Sequence, residues 1–139
     1  MKKNMRKIAA VVLLLGMLLS ITALGAENAS AYISSYTAWH ERINGVDKIF
    51  VYMAAVDTMD DLGVRSVYIF NARTEEEVAR IYYYEDASMM IEDAATYANA
   101  FNFTGGTPGQ SYYAVVTFYA GNSNGFETRD YVTSDFTVY

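Results

Sequence analysis

Ser111-Tyr112-Tyr113-Ala114-Val115-Val116-Thr117-Phe118-Tyr119-Ala120 decides the fold class. Side chains alternate along an extended chain. Tyr112, Ala114, Val116, Phe118 and Ala120 therefore share one face, and Tyr113, Val115, Thr117 and Tyr119 the other. Aromatic and β-branched residues suit a pleated, half-buried surface. Both faces are apolar or aromatic, so the segment reads as a strand inside a sheet rather than at its edge.

Outward from this strand, turn signals recur roughly every ten to fifteen residues. They are Asn44-Gly45, Asp60-Asp61-Leu62-Gly63, Asn71-Ala72-Arg73, Gly105-Gly106-Thr107-Pro108-Gly109 and Gly121-Asn122-Ser123-Asn124-Gly125. Short strands at such spacing predict an all-β sandwich or barrel. The expected strands are Tyr32–Arg42, Lys48–Val56, Val64–Asn71, Val78–Glu85, Tyr97–Thr104, Ser111–Ala120 and Asp130–Val138. Two segments carry a competing signal. Thr74-Glu75-Glu76-Glu77 has the form of a helix capping box, but Ile81-Tyr82-Tyr83-Tyr84 follows at once, so a hairpin loop is preferred. Ala87–Ala100 contains helix formers, and a short helical turn crossing between sheets is expected there.

Thr107-Pro108-Gly109-Gln110-Ser111-Tyr112 and the alternating run after it resemble the entry to strand F of fibronectin type III domains. Ala120, Asn122 and Gly125 resemble that family's lead into its F–G loop. The resemblance covers about 20 residues, roughly 105–125. It implies an immunoglobulin-like, seven-stranded antiparallel β-sandwich. It also implies a tyrosine corner at Tyr112, whose hydroxyl would bond backbone upstream and pin the crossing between sheets. The family's strand-B tryptophan has no counterpart, since the single Trp is Trp39 in the first expected strand. The resemblance transfers no functional residue, because such domains bind through variable loops and faces.

The N-terminus reads as a secretory signal peptide. Lys2, Lys3, Arg6 and Lys7 form a basic n-region, and an apolar run extends from Ile8 to about Leu24. Ala29-Ser30-Ala31 is an A-x-A cleavage pattern. Ala23-Leu24-Gly25 is a poorer one, and a retained anchor is the competing reading. Residues 1–31 are thus the expected leader and 32–139 the expected single domain. Of ten basic and sixteen acidic residues, the leader holds Lys2, Lys3, Arg6, Lys7 and Glu27. The rest keeps six basic and fifteen acidic residues, a formal charge of −9. Phosphate backbones and anionic lipid repel such a surface, so neither nucleic acid nor membrane is an expected partner. The chain has no cysteine, so packing rather than disulfides carries its stability.

No catalytic, cofactor-binding or metal-binding residue is predicted, and no cofactor is expected. The single histidine, His40, sits between Trp39 and Glu41 and reads as an ordinary strand residue. One histidine without cysteine cannot make a zinc site, and no nucleophile-elbow pattern occurs. Asp57, Asp60 and Asp61 gather in one expected loop without calcium-loop spacing, so a solvated turn is expected. Tyr82-Tyr83-Tyr84 and Tyr112-Tyr113 place tyrosines on both faces of their strands, so some must point outward. Tyr113 is expected on the face opposite Tyr112, and its hydroxyl to matter little if that face is solvated. The expected function is that of a secreted, non-enzymatic interaction module, outside the cell or at a bacterial envelope, for an unknown protein or glycan. The alternative is a stand-alone carbohydrate-binding module that uses exposed tyrosines. The oligomeric state is left open.

Overall fold

The computed structural model describes residues 30–139, and the expected leader lies outside them except for Ser30 and Ala31. Ala31–Tyr139 is one compact unit. It is all-β and antiparallel, with seven strands in one hydrogen-bonded network. The strands are β1 (Ile33–Ile43), β2 (Val46–Asn71), β3 (Glu77–Tyr82), β4 (Met90–Phe103), β5 (Ser111–Asn122), β6 (Gly125–Val132) and β7 (Phe136–Thr137). Among the described residues no helix is long and apolar enough to cross a membrane.

Asn44 and Gly45 connect β1 to β2, with φ of 51° and 80°. Two left-handed residues twist a two-residue hairpin the way its strands twist. The turn sets Ile43 opposite Val46 and Trp39 opposite Phe50. Along β2, Ile49, Val51 and Met53 are then sealed while Phe50 and Tyr52 face out.

β2 organises the molecule. It is 26 residues long, far beyond the usual ~5–6. Its first half pairs with β1 on one edge and with the end of β4 on the other. Its second half pairs with β5 on one edge and with β3 and the start of β4 on the other. Register shifts at Ala54/Met59 and Val64/Ser66 bend it between these partners. Its two halves close on a common core. Ile49, Val51 and Met53 from one meet Val64, Val67 and Ile69 from the other, with Ala114, Val116 and Phe118 of β5 in the same cluster. The Tyr36 ring of β1 touches Phe118 at 5.6 Å.

Several expectations are corrected. The second and third expected strands are one strand. Asp57, Asp60 and Asp61 therefore lie along β2, not in a loop, and Asp61 is paired on both edges, opposite Glu92 and Gly121. Met59 and Leu62 are buried there, so non-local pairing and burial override local turn propensity. The last expected strand is broken into β6 and β7 at residues 133–135. Tyr83 and Tyr84 leave β3 for a turn in which the Tyr82 N–H donates to the Glu85 carboxylate at 2.9 Å. The segment 74–76 is a hairpin loop as preferred, tied by the Asn71 side chain to the N–H groups of Arg73 and Thr74. Of Ala87–Ala100 only Ala87–Met89 is helical, a single 3₁₀ turn capped by Asp86, and the rest is strand.

Candidate functional site

The sheet made by β3, the second half of β2, β5 and β6 turns one face away from the core. Register fixes what that face carries. Ser66, Tyr68 and Phe70 stand opposite Thr117, Val115 and Tyr113. Tyr82 and Arg80 extend those rows on one side, and Asp130 and Val132 on the other. Cross-strand aromatic neighbours at this spacing touch.

The rings form a band of two runs that meet at one cavity. Tyr113 stacks on Phe70 at 5.3 Å and Phe70 on Tyr68 at 6.3 Å. Tyr68 meets Tyr82 edge-on at 5.7 Å, and Tyr82 stacks on Tyr84 at 5.1 Å. Tyr84 meets Tyr83 edge-on at 5.5 Å. Tyr83 and Tyr119 line one cavity, and Tyr119 stacks on Phe126 at 5.6 Å. Exposure rises toward the turn, to 41% at Tyr83 and 69% at Tyr84, and reaches 63% at Phe126.

Polar groups punctuate the band. The Tyr68 and Tyr82 hydroxyls are 2.5 Å apart. Arg80 donates to the Tyr82 hydroxyl at 3.3 Å and pairs with Glu77 at 3.0 Å. The Tyr68 hydrogen bond, then that from Arg80, holds the Tyr82 phenol below its ordinary pKa. The Tyr68 phenol is pushed up to about 12, first by its bond to Tyr82 and then by burial. Burial raises the Asp130 carboxyl, although the Thr117 hydroxyl donates to it at 2.5 Å and opposes the shift. The face offers flat rings, phenol donors and acceptors and one arginine–glutamate pair. Such a surface suits recognition by stacking and hydrogen bonding.

A smaller aromatic patch lies on the outer face of β1, the first half of β2 and β4. Trp39 stacks on Phe50 at 5.5 Å, with Tyr52 nearby and Ala98 and Ala100 across the strand pair. Trp39 is 38% and Tyr52 39% exposed. The Trp39 indole is committed to Glu41 at 2.8 Å.

His40 is a strand residue, stacked on Phe136 at 4.1 Å and bound to buried Asp47 at 2.8 Å. Arg42 reaches the other Asp47 oxygen at 3.0 Å. Among the described residues no three His, Cys, Asp or Glu side chains gather as a metal site.

Of the tyrosines singled out from sequence, Tyr82, Tyr84 and Tyr113 lie on the outer face, Tyr83 lines its cavity, and Tyr112 points inward. Tyr113 is not solvated. It is 5% exposed, covered by Phe70, and its hydroxyl donates to Glu75. Tyr119 lies on the face that alternation gives it, with Tyr113; Tyr68, Phe70 and Phe126 join it there without a sequence signal beyond alternation against Val67 and Ile69, which marks the first two as outward.

No family model matches the chain, and no curated protein matches it.

Proposed function

We propose that this protein is a secreted, non-enzymatic interaction module that binds its partner through the aromatic face of β3, β2, β5 and β6. The exposed end of the band, Tyr82, Tyr83 and Tyr84, with Phe126 beyond the cavity, carries the reading. A purely structural ladder hides its rings, whereas here exposure is greatest at Tyr83, Tyr84 and Phe126. Contiguous exposed aromatic surface marks interaction sites, where Tyr and Trp are enriched. The charge of −9 outside the leader disfavours nucleic acid and anionic membrane as partners.

The fold proposed is an immunoglobulin-like sandwich. In its support, β1, the first half of β2 and the end of β4 make a three-stranded side, and β3, the rest of β2, β5 and β6 a four-stranded one. The Tyr112 hydroxyl accepts the Thr107 N–H at 2.8 Å, the upstream bond of a tyrosine corner. Export is proposed from the n-region, the apolar run and Ala29-Ser30-Ala31. Protein recovered from the medium should begin at Tyr32; recovery only as full-length, cell-bound chain contradicts export.

Capture from the extracellular fraction on immobilised protein tests the surface. Tyr82→Ser with Tyr84→Ser should abolish capture, and Trp39→Ser should leave it intact. The reverse pattern moves the site to the β1–β2–β4 face.

A further inference from the structure

One end of the aromatic face dips into a half-open cavity of about 220 Å³, lined by Asp61, Arg65, Tyr83, Met90 and Tyr119. Pockets for drug-sized ligands span about 300–1,000 Å³, so this one takes a single ring-sized unit. The chain shapes it deliberately. A β-carbon on Gly121 would stand 2.7 Å from the Tyr119 hydroxyl, so glycine there lets the ring lie along the strand and stack on Phe126. Arg65 occupies the β2 register shift between Val64 and Ser66, and its carbonyl accepts the Tyr83 N–H at 3.1 Å. That bond fixes the tyrosine turn beside the arginine.

The charges have a definite pattern. Asp61 and Arg65 are both exposed. Among the described residues neither side chain is engaged in a hydrogen bond or ion pair. Both act on the Tyr119 phenol, which burial raises first, Asp61 raises further and Arg65 opposes. The cavity thus combines a carboxylate acceptor, a guanidinium donor, phenol hydroxyls and ring faces. An anion meets Asp61 and the charge of −9 carried by residues 32–139. A cation meets Arg65. A bare apolar ring leaves both charges without partners when it displaces their water. A neutral ring bearing adjacent hydroxyls has donors for Asp61, acceptors for Arg65 and C–H faces for the tyrosines.

We propose that the Asp61–Arg65–Tyr83–Tyr119 cavity is a subsite for one neutral pyranose unit of a glycan. The proposal rests on the aromatic sheet face being the binding surface.

The test is a titration of isotope-labelled purified protein, followed by backbone amide shifts. The probes are glucose, galactose, mannose, N-acetylglucosamine, cellohexaose and chitohexaose. At least one should give saturable shifts centred on Asp61, Arg65, Tyr83 and Tyr119. Asp61→Asn and Arg65→Gln should each weaken binding about tenfold, the worth of one hydrogen bond to a charged group. Unchanged spectra away from the cavity establish that the variants fold. Added sodium phosphate should not compete. The sugar assignment is overturned if no saccharide gives saturable shifts, or if both variants bind as the parent does. It is also overturned if only a captured protein protects the cavity. If saccharides fail while capture still depends on Tyr82 and Tyr84, the sheet-face reading survives and the sugar subsite falls. If capture is also independent of those tyrosines, both fall.

Discussion

Tyr112 and Tyr113 are adjacent and point to opposite faces, yet both are sealed. Tyr112 packs against Phe103 and Phe136 in the core, and its hydroxyl accepts the Thr107 N–H. Tyr113 packs on Phe70 and donates to the carboxylate of Glu75, a residue held at φ 61° in the β2–β3 loop. Tyr112→Phe should cost about 1–2 kcal/mol, and Tyr113→Phe, which loses a bond to a charged acceptor, at least as much. Urea denaturation of both decides; a cost under about 0.5 kcal/mol at Tyr113 means that the loop does not cover it. The sequence marks Tyr112, because Pro108-Gly109 and the alternating run announce it. It does not mark the cover on Tyr113, which comes from Phe70 across the strand pair and from Glu75, 38 residues away. Asp130 gives a pH test at the same scale. Burial raises its folded pKa, so its carboxylate destabilises the fold above that pKa and has no effect below the unfolded value. Asn at this position keeps the Thr117 hydrogen bond without the charge. Asp130→Asn should therefore be more stable than the parent at pH 7. The gain should shrink as pH falls through the raised pKa toward the ordinary carboxylate range. Thermal melts across that range check it; a pH-independent difference, or a loss at pH 7, contradicts it.

At the scale of elements, β2 is where local signals and the fold part company. Asp60-Asp61-Leu62-Gly63 has the composition of a turn, yet it runs as mid-strand between β4 and β5. Gly63 is there for close approach. A β-carbon on it would stand 2.0 Å from the carbonyl oxygen of Met89, the last residue of the 3₁₀ turn before β4. Gly63→Ala should thus cost about 3 kcal/mol, whereas Gly105→Ala, meeting only the Phe103 ring at 3.7 Å, should stay within about 0.5 kcal/mol. Equal midpoints in denaturant would place Met89 elsewhere. Strand identity was legible where alternation is strong, in β1, β5 and both halves of β2. The corner of β2 was not, because its reason lies in partners distant in sequence. Asn44-Gly45 was legible as a turn, since its two positive φ values are a local requirement of a two-residue hairpin.

At the scale of the whole molecule, a cysteine-free chain builds one core from both halves of β2, with β5 running through it. That arrangement leaves the sheet's other face to carry the aromatic band. The presence of outward tyrosines followed from sequence. Their joining into one band did not, because it depends on the β2–β3 and β2–β5 registers. All thirteen tyrosines can report on the surface together if they are replaced by 3-fluorotyrosine. Fluorine spectra, recorded before and after addition of the extracellular fraction the protein captures, test the central claim most directly. Tyr82, Tyr83, Tyr84 and Tyr119 should shift or broaden, while Tyr97 and Tyr112, sealed in the core, keep their resonances. A response at Tyr52 with the band silent, or at no tyrosine at all, would contradict the account.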